Sequence, residues 1–172
     1  TKMVRGQQKA HFEGFSKLYE ALSSALIPAM LDIVEQYESA RVPLVVFSPH
    51  RGPIDELAQR PGWVTITGDT TETDREDYVR RFQDGELLGI AGTYQAMGTA
   101  VTLTRSSNVL QVNLSFTNGT NGQAEDRCRR IGQRSAVNVM RLIADHDLAR
   151  RILEILDEKK EMIDGTITAT EV

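Results

Sequence analysis

Four consecutive apolar residues, Leu44-Val45-Val46-Phe47, narrow the fold of this chain more than any other stretch. A strand with one wet face alternates apolar and polar residues. An unbroken, β-branched run instead predicts a strand covered on both faces, as in a parallel sheet between two helical layers. The next residues, Ser48-Pro49-His50-Arg51-Gly52-Pro53, read as a loop at the carboxyl end of that strand, followed by a helix from Ile54 to Gln59. The same grammar recurs downstream. Trp63 to Ile66 reads as a strand, and Thr71 to Glu76 offers capping residues for a helix with Tyr78, Val79 and Phe82 inward. Leu88 to Ala91 runs into a glycine-containing loop, Asn108 to Leu114 into a further helix, and Val137 to Ile143 into an amphipathic helix from Leu148 to Ile163. Strands alternating with helices predict an α/β fold, a three-layer α/β/α sandwich around a mostly parallel sheet.

Residues ahead of the first strand show helical spacing, with Leu18, Leu22, Leu26, Met30, Ile33, Val34 and Tyr37 as inward positions and Pro28 as a break. Lys2, Arg5 and Lys9 make this end basic, which suits a solvated end more than an arm on DNA. The expected divisions are a helical lead-in over 1–41, one α/β lobe over 42–145, a helix over 146–164 and a frayed tail over 165–172. At 172 residues a single core suffices, and a monomer is expected. No run reaches the roughly 18 apolar residues of a membrane span and no signal peptide opens the chain, so an intracellular protein is expected, in cytoplasm, nucleoid or nucleus. Cys128 has no partner for an internal disulfide, and His11, His50 and His146 are too scattered for a metal site. With a formal charge of −4, any nucleic-acid surface must be local. Fifteen arginines against five lysines lean toward phosphate recognition.

The stretch Gln123-Ala124-Glu125-Asp126-Arg127-Cys128-Arg129-Arg130-Ile131-Gly132-Gln133 carries the chemistry. Thr120 with Gln123 reads as a capping box that opens a helix, and Gly132 as its end. Ala124, Cys128 and Ile131 then form a buried stripe. Gln123, Arg127 and Arg130, one residue back at the same spacing, line the neighbouring face. Two permanently charged, forked guanidiniums in a row suit developing negative charge on phosphate. The same row also makes an ordinary solvated face, with Asp126 pairing Arg130 and Gln123 serving only the cap.

Gln-Ala-Glu-Asp-Arg-x-x-Arg-Ile-Gly-Gln resembles motif VI of the Swi/Snf-type ATPases, a branch of the superfamily-two helicases and DNA translocases. The other motifs of that family's second RecA-like lobe follow in order over about residues 42 to 145. Val-Phe-Ser-x-His resembles motif IV, which makes Ser48 and His50 candidate DNA-backbone contacts; the alternative is a Ser48 satisfied locally and an exposed His50. Gly92 to Thr104 coincides with motif V, and the resemblance implies Thr93 and Gln95 against DNA and Gly98 beside ATP. Gly68 to Arg75 resembles the element between these motifs, with Arg75 read as a helix-face charge. The chain departs from the pattern at Met97, at Ala100 and at Ser115-Phe116-Thr117-Asn118-Gly119-Thr120, where relatives carry an acidic residue and a Trp-Asn-Pro turn. Phe116 is expected in the core, or else as an aromatic surface near DNA.

The chain contains no Gly-Lys pair and no acidic box in a suitable context, so a phosphate cradle and magnesium site are missing. The resemblance implies half an ATPase of P-loop NTPase type. An upstream RecA-like lobe of the same parent would hold ATP with Mg2+, and Arg130 would act as an arginine finger with Arg127 beside it and Gln123 coupling the site. The lobe alone is not expected to hydrolyse ATP. Double-stranded DNA is the implied partner, and the phrasing of the motifs is nearer to compact DNA-processing relatives than to chromatin remodellers. The alternative is a non-catalytic RecA-like module that binds DNA or protein.

Overall fold

The apolar run becomes β1 (Leu44–Ser48), every residue of it buried. The computed structural model describes residues 2–98 and 101–170, with side-chain surroundings over 13–98, 101–117 and 119–162. In chain order the elements are α1 (Lys2–Ala25), α2 (Ile27–Ala40), β1, α3 (Arg51–Leu57), β2 (Trp63–Ile66), α4 (Glu72–Asp84), β3 (Gly89–Thr93) and α5 (Tyr94–Met97). Then follow β4 (Asn108–Val112), α6 (Asn118–Asp126), β5 (Asn138–Leu142) and α7 (Asp147–Thr170).

The strands form one five-stranded sheet in the order β2-β3-β1-β4-β5. Each neighbouring pair is parallel, with Val45 beside Ile90 on one side and Val109 on the other. Alternation along β1 divides its side chains between two cores. Val45 and Phe47 join Phe82, Met97, Leu103, Ala124 and Cys128 under α4, α5 and α6. Leu44 and Val46 join Met30, Val34, Ile54 and Leu57 under α2 and α3. A smaller cluster of Tyr19, Leu114, Ile152 and Leu156 ties α1 to α7.

Local signals explain the element ends. Thr71 accepts a hydrogen bond from Asp74 N at 3.1 Å to open α4, and Gly85 closes it in the left-handed region at φ 90°. Pro28 lies in the first turn of α2, where its missing N–H is not needed. The Trp63 indole lies across β3, where a Cβ at Gly89 would overlap the ring.

Glu38 at the end of α2 accepts from Trp63 Nε1 at 2.8 Å and Arg60 Nε at 2.9 Å. The bond from Arg60 outweighs burial, and with help from Trp63 it holds the carboxyl below its ordinary value of 4.5. A depressed folded-state value adds stability above pH 4.5 that is lost as pH falls below it. We therefore expect the stability difference between wild type and Glu38→Gln, measured by denaturant unfolding from pH 7 to 3, to shrink below pH 4.5. A difference that stays flat over that range means the pair contributes nothing.

Three expectations about helices are corrected. Leu18 is 43% exposed, because α1 turns Phe15 and Tyr19 inward beside the expected Leu22, and the Tyr19 hydroxyl donates to Leu114 O at 2.7 Å. The C-terminal helix continues through Gly165 to Thr170 rather than fraying there. A loop expected after β3 contains the short α5, opened by Thr93. The side chains of Lys2, Arg5, Lys9 and Ile163, and all of Ala100, lie outside the described residues. No described helix is long and apolar enough to cross a membrane.

Candidate functional site

Beyond β1 the chain passes to α3 on one face of the sheet, whereas beyond β3 and β4 it passes to α5 and α6 on the other. Diverging connections leave a crevice at the carboxyl ends of the strands. A cleft of about 570 Å³ lies there, lined by Pro49, Arg51, Thr93, Tyr94, Gln95 and Phe116 among others. Thr93 and Gln95 face it together. Gln95 is exposed, while the Thr93 hydroxyl accepts from Ala96 N at 3.3 Å and caps α5.

Ser48 and His50 sit behind this cleft rather than in its wall. Ser48 is fully buried, and its hydroxyl accepts from His50 N at 3.2 Å. The His50 ring is half-buried, with Nδ1 2.8 Å from Ser23 Oγ and its plane edge-on to Tyr19 at 5.4 Å. Burial pushes its pKa below the ordinary imidazole value, against the pull of Glu20. His50 is thus not the exposed loop residue that one reading expected. Phe116 is not a core residue either. It is 38% exposed, its ring lying against Tyr19 at 4.9 Å and Phe15 at 5.4 Å. The cause is a turn at Asn113, whose φ of 60° ends β4 and gives the inward place to Leu114.

The arginines form a second region. Helix α6 starts earlier than the capping box implied, at Asn118 with Thr117 as N-cap, and it stops at Asp126. Arg127 N to Ala124 O and Cys128 N to Glu125 O, at 3.3 and 3.1 Å, tighten the exit. Ala124 and Cys128 are buried as expected, but Ile131 is 104% exposed, because the helix ends before it. Gln123, Arg127 and Arg130 consequently do not share a face. Arg127 is buried and its guanidinium donates to Gly98 O. Burial and the nearby positive charge of Arg130 lower its pKa, against Asp126. Gln123 and Arg130 are exposed, and Arg130 NH1 donates to Thr102 Oγ1 at 3.1 Å rather than pairing with Asp126.

Gln133 ends the turn. Its Nε2 donates to Cys128 O at 3.0 Å, Thr104 O at 3.1 Å and Ser106 O at 2.8 Å, and its Oε1 accepts from Arg134 N and Ser135 N. Gly132, at φ 108°, makes the reversal possible. Cys128 is buried, and desolvation pushes its thiol up to about 12, so it is an inert packing residue. Among the described residues no three His, Cys, Asp or Glu side chains converge as metal ligands would.

No protein-family model matches the chain. Similar proteins include the SWI/SNF-related matrix-associated actin-dependent regulator of chromatin subfamily A-like protein 1 of Xenopus laevis, 28% identical over 158 residues covering 88% of this chain and 16% of that protein. The DNA repair protein RAD5A of Arabidopsis thaliana is 28% identical over 88% of this chain and 15% of its own length. The human DNA annealing helicase and endonuclease ZRANB3 is 26% identical over 88% of this chain and 15% of its length. The chain is thus similar to Swi/Snf-type helicases over most of its length. It spans about one sixth of the length of these relatives. The crystal structure of the C-terminal part of the Fun30 ATPase domain superimposes with a TM-score of 0.67 at 22% identity, covering 75% of this chain and 44% of that one. The fold is that of the C-terminal RecA-like lobe.

Within this lobe, tertiary contacts bring Gly98 to Arg127 and Thr102 to Arg130, linking residues far apart in sequence. Sequence reasoning missed three members of the site. Arg51, in the cleft wall, donates to Asp69; its place beside His50 was the only signal. Glu125, nearly buried, pairs with Arg141 at 3.1 Å and Arg129 at 3.4 Å, and Arg141 also donates to Gln111. Gln133 was visible as the last residue of the motif, but its bonds run to the distant stretch Thr104 to Ser106.

Proposed function

We propose that this Swi/Snf-type lobe is the C-terminal half of an ATP-dependent DNA translocase, working against an upstream RecA-like lobe of its parent chain. One observation carries the reading. Arg130 is exposed on a braced turn and held by a single described hydrogen bond, to Thr102, whereas Arg127 beside it is committed to Gly98 O. One arginine thus builds the loop while the other can reach a phosphate. A permanent cation with forked donors stabilises the charge that develops on γ-phosphate oxygens as the phosphoryl group passes to water.

The local donors suit the phosphate tail of ATP but not its metal. Arg130 can donate to phosphates, and Gly98, whose N–H and C=O are engaged by Gln95 and Arg127, can lie beside them, while the chain lacks the Gly-Lys pair of a phosphate cradle, so Mg2+ falls to the upstream lobe. Bound there, the ion neutralises charge on the β- and γ-phosphates. Gln123, exposed on α6, would couple nucleotide binding to closure.

For DNA, Thr93 and Gln95 in the cleft are the phosphate contacts, with Arg51 as a cation beside them. Ser48 acts from behind by holding the backbone of His50. The names of the relatives, a DNA repair protein and a DNA annealing helicase, support DNA as partner. Duplex DNA, contacted along its backbone, suits a monomeric lobe that shifts its grip as the cleft between lobes opens and closes. The nucleus or nucleoid is the matching location.

The test is ATP turnover by the intact parent protein with and without duplex DNA. Turnover that rises with duplex is expected. A parent that binds duplex without hydrolysing ATP is the non-catalytic binding module instead.

A further inference from the structure

The turn from Cys128 to Gln133 is both rigid and tipped with a bare apolar side chain. Its base is Cys128, fully buried. Its far end is the Gln133 side chain, bonded to three carbonyls and two amides. Gln133 N closes the turn on Arg130 O at 3.0 Å, and Leu103 N holds Arg127 O at 2.9 Å. Ile131, at 104% exposure, is more open than any other large apolar residue described; Met162 is next at 65%. Isolated exposed apolar residues are common on surfaces and usually mean nothing. This one differs in its setting. A β-branched side chain has few χ1 rotamers, and the braced backbone fixes the point from which they project, so the space it can sweep is narrow before anything meets it.

We propose that Ile131 is a positioning residue: when nucleotide closes the cleft, it docks on an apolar patch of the upstream lobe and thereby sets the reach of Arg130. The inference rests on the reading of this chain as half an ATPase. The occupant is argued from continuity, since Ile131 is covalently next to Arg130 on the same exposed turn, and a surface that brings a γ-phosphate to Arg130 passes close to Ile131. Arginine is long and loses much freedom when fixed, whereas apolar docking is non-directional and tolerant of approach. A rigid apolar anchor one residue away supplies the registration that the guanidinium lacks. Misplacement of a reacting group by about 1 Å can cost about 100-fold in rate, so registration matters.

The experiment uses the intact two-lobed parent with Ile131→Asp, Ile131→Val and Arg130→Ala. Ile131→Asp should lower DNA-stimulated kcat about 10- to 100-fold. KM for ATP, duplex affinity without nucleotide and melting temperature should stay near wild type, because the side chain is fully exposed among the described residues. Ile131→Val should restore most of the rate. A second readout is independent of turnover. Within this lobe Cys128 is buried and inert, so with accessible cysteines elsewhere in the parent replaced, an environment-sensitive dye on Ile131→Cys should shift to the blue when a non-hydrolysable ATP analogue and duplex are added together.

A wild-type rate in Ile131→Asp, or a dye that stays in water, overturns the inference. If Arg130→Ala still collapses the rate in that case, the ATPase reading stands alone. If neither variant changes turnover, both fail.

Discussion

In the proposed two-lobed parent, Arg130→Ala should lower DNA-stimulated ATP turnover by about 10³ to 10⁵, the span of an arginine finger's contribution. The lobe itself should barely register the change. Arg130 is exposed and its described bond is one hydrogen bond to Thr102, so its loss belongs with ordinary surface substitutions, within about 0.5 kcal/mol. Arg127→Ala provides the contrast. That side chain is buried against Gly98 O, and its removal orphans a carbonyl and opens a void, so stability and turnover fall together. Lysine at 130 keeps the charge but not the fork, and should recover only part of the rate. Single-turnover hydrolysis with saturating duplex measures the effect. An Arg130→Ala rate within a few-fold of wild type would remove this residue from the chemistry.

The second large effect is on stability. Phe47 lies at the heart of β1 with no exposed surface, its ring stacked on Tyr94 at 5.6 Å with an 18° angle between planes. Phe47→Ala should cost about 3–5 kcal/mol, through lost transfer energy and an incompletely collapsed cavity. For a domain of this size that lowers the melting temperature by roughly 6–20 °C. The damage should reach the cleft, because Tyr94 forms part of its wall and donates its hydroxyl to Asn113 O at 3.1 Å. Circular dichroism during heating and in guanidinium gives both quantities. A loss below about 1 kcal/mol would mean that the core between the sheet and α5 is not packed as described.

Period and composition made the sheet legible. An unbroken apolar run can satisfy a doubly covered strand, and β1 is one; Thr71 announced the start of α4 in advance, because caps are local chemistry. The failures lie where distant residues decide. The spacing of Ala124, Cys128 and Ile131 predicts a helix through Ile131. The chain leaves that helix at Asp126, and the turn that follows is braced by Gln133 on carbonyls from another segment. Phe116 has core composition and a rim position, since the turn at Asn113 assigns the inward place to Leu114. His50 was legible as a loop residue but not as a half-buried one, because the helix that covers it carries Ser23 and Tyr19, far upstream. Residue types in the motifs were therefore readable, and which arginine points outward was not.

The strand order also bears on how the chain reaches this fold. β1 is flanked by β3 and β4, so neither neighbour precedes it and neither is the next strand made. During synthesis, at about 5–20 residues per second, its two backbone edges wait several seconds until the segment ending at Val112 emerges. The most apolar strand of the protein is thus the one longest without partners, and a nascent chain stalled between β2 and β4 would present it as a template for aggregation.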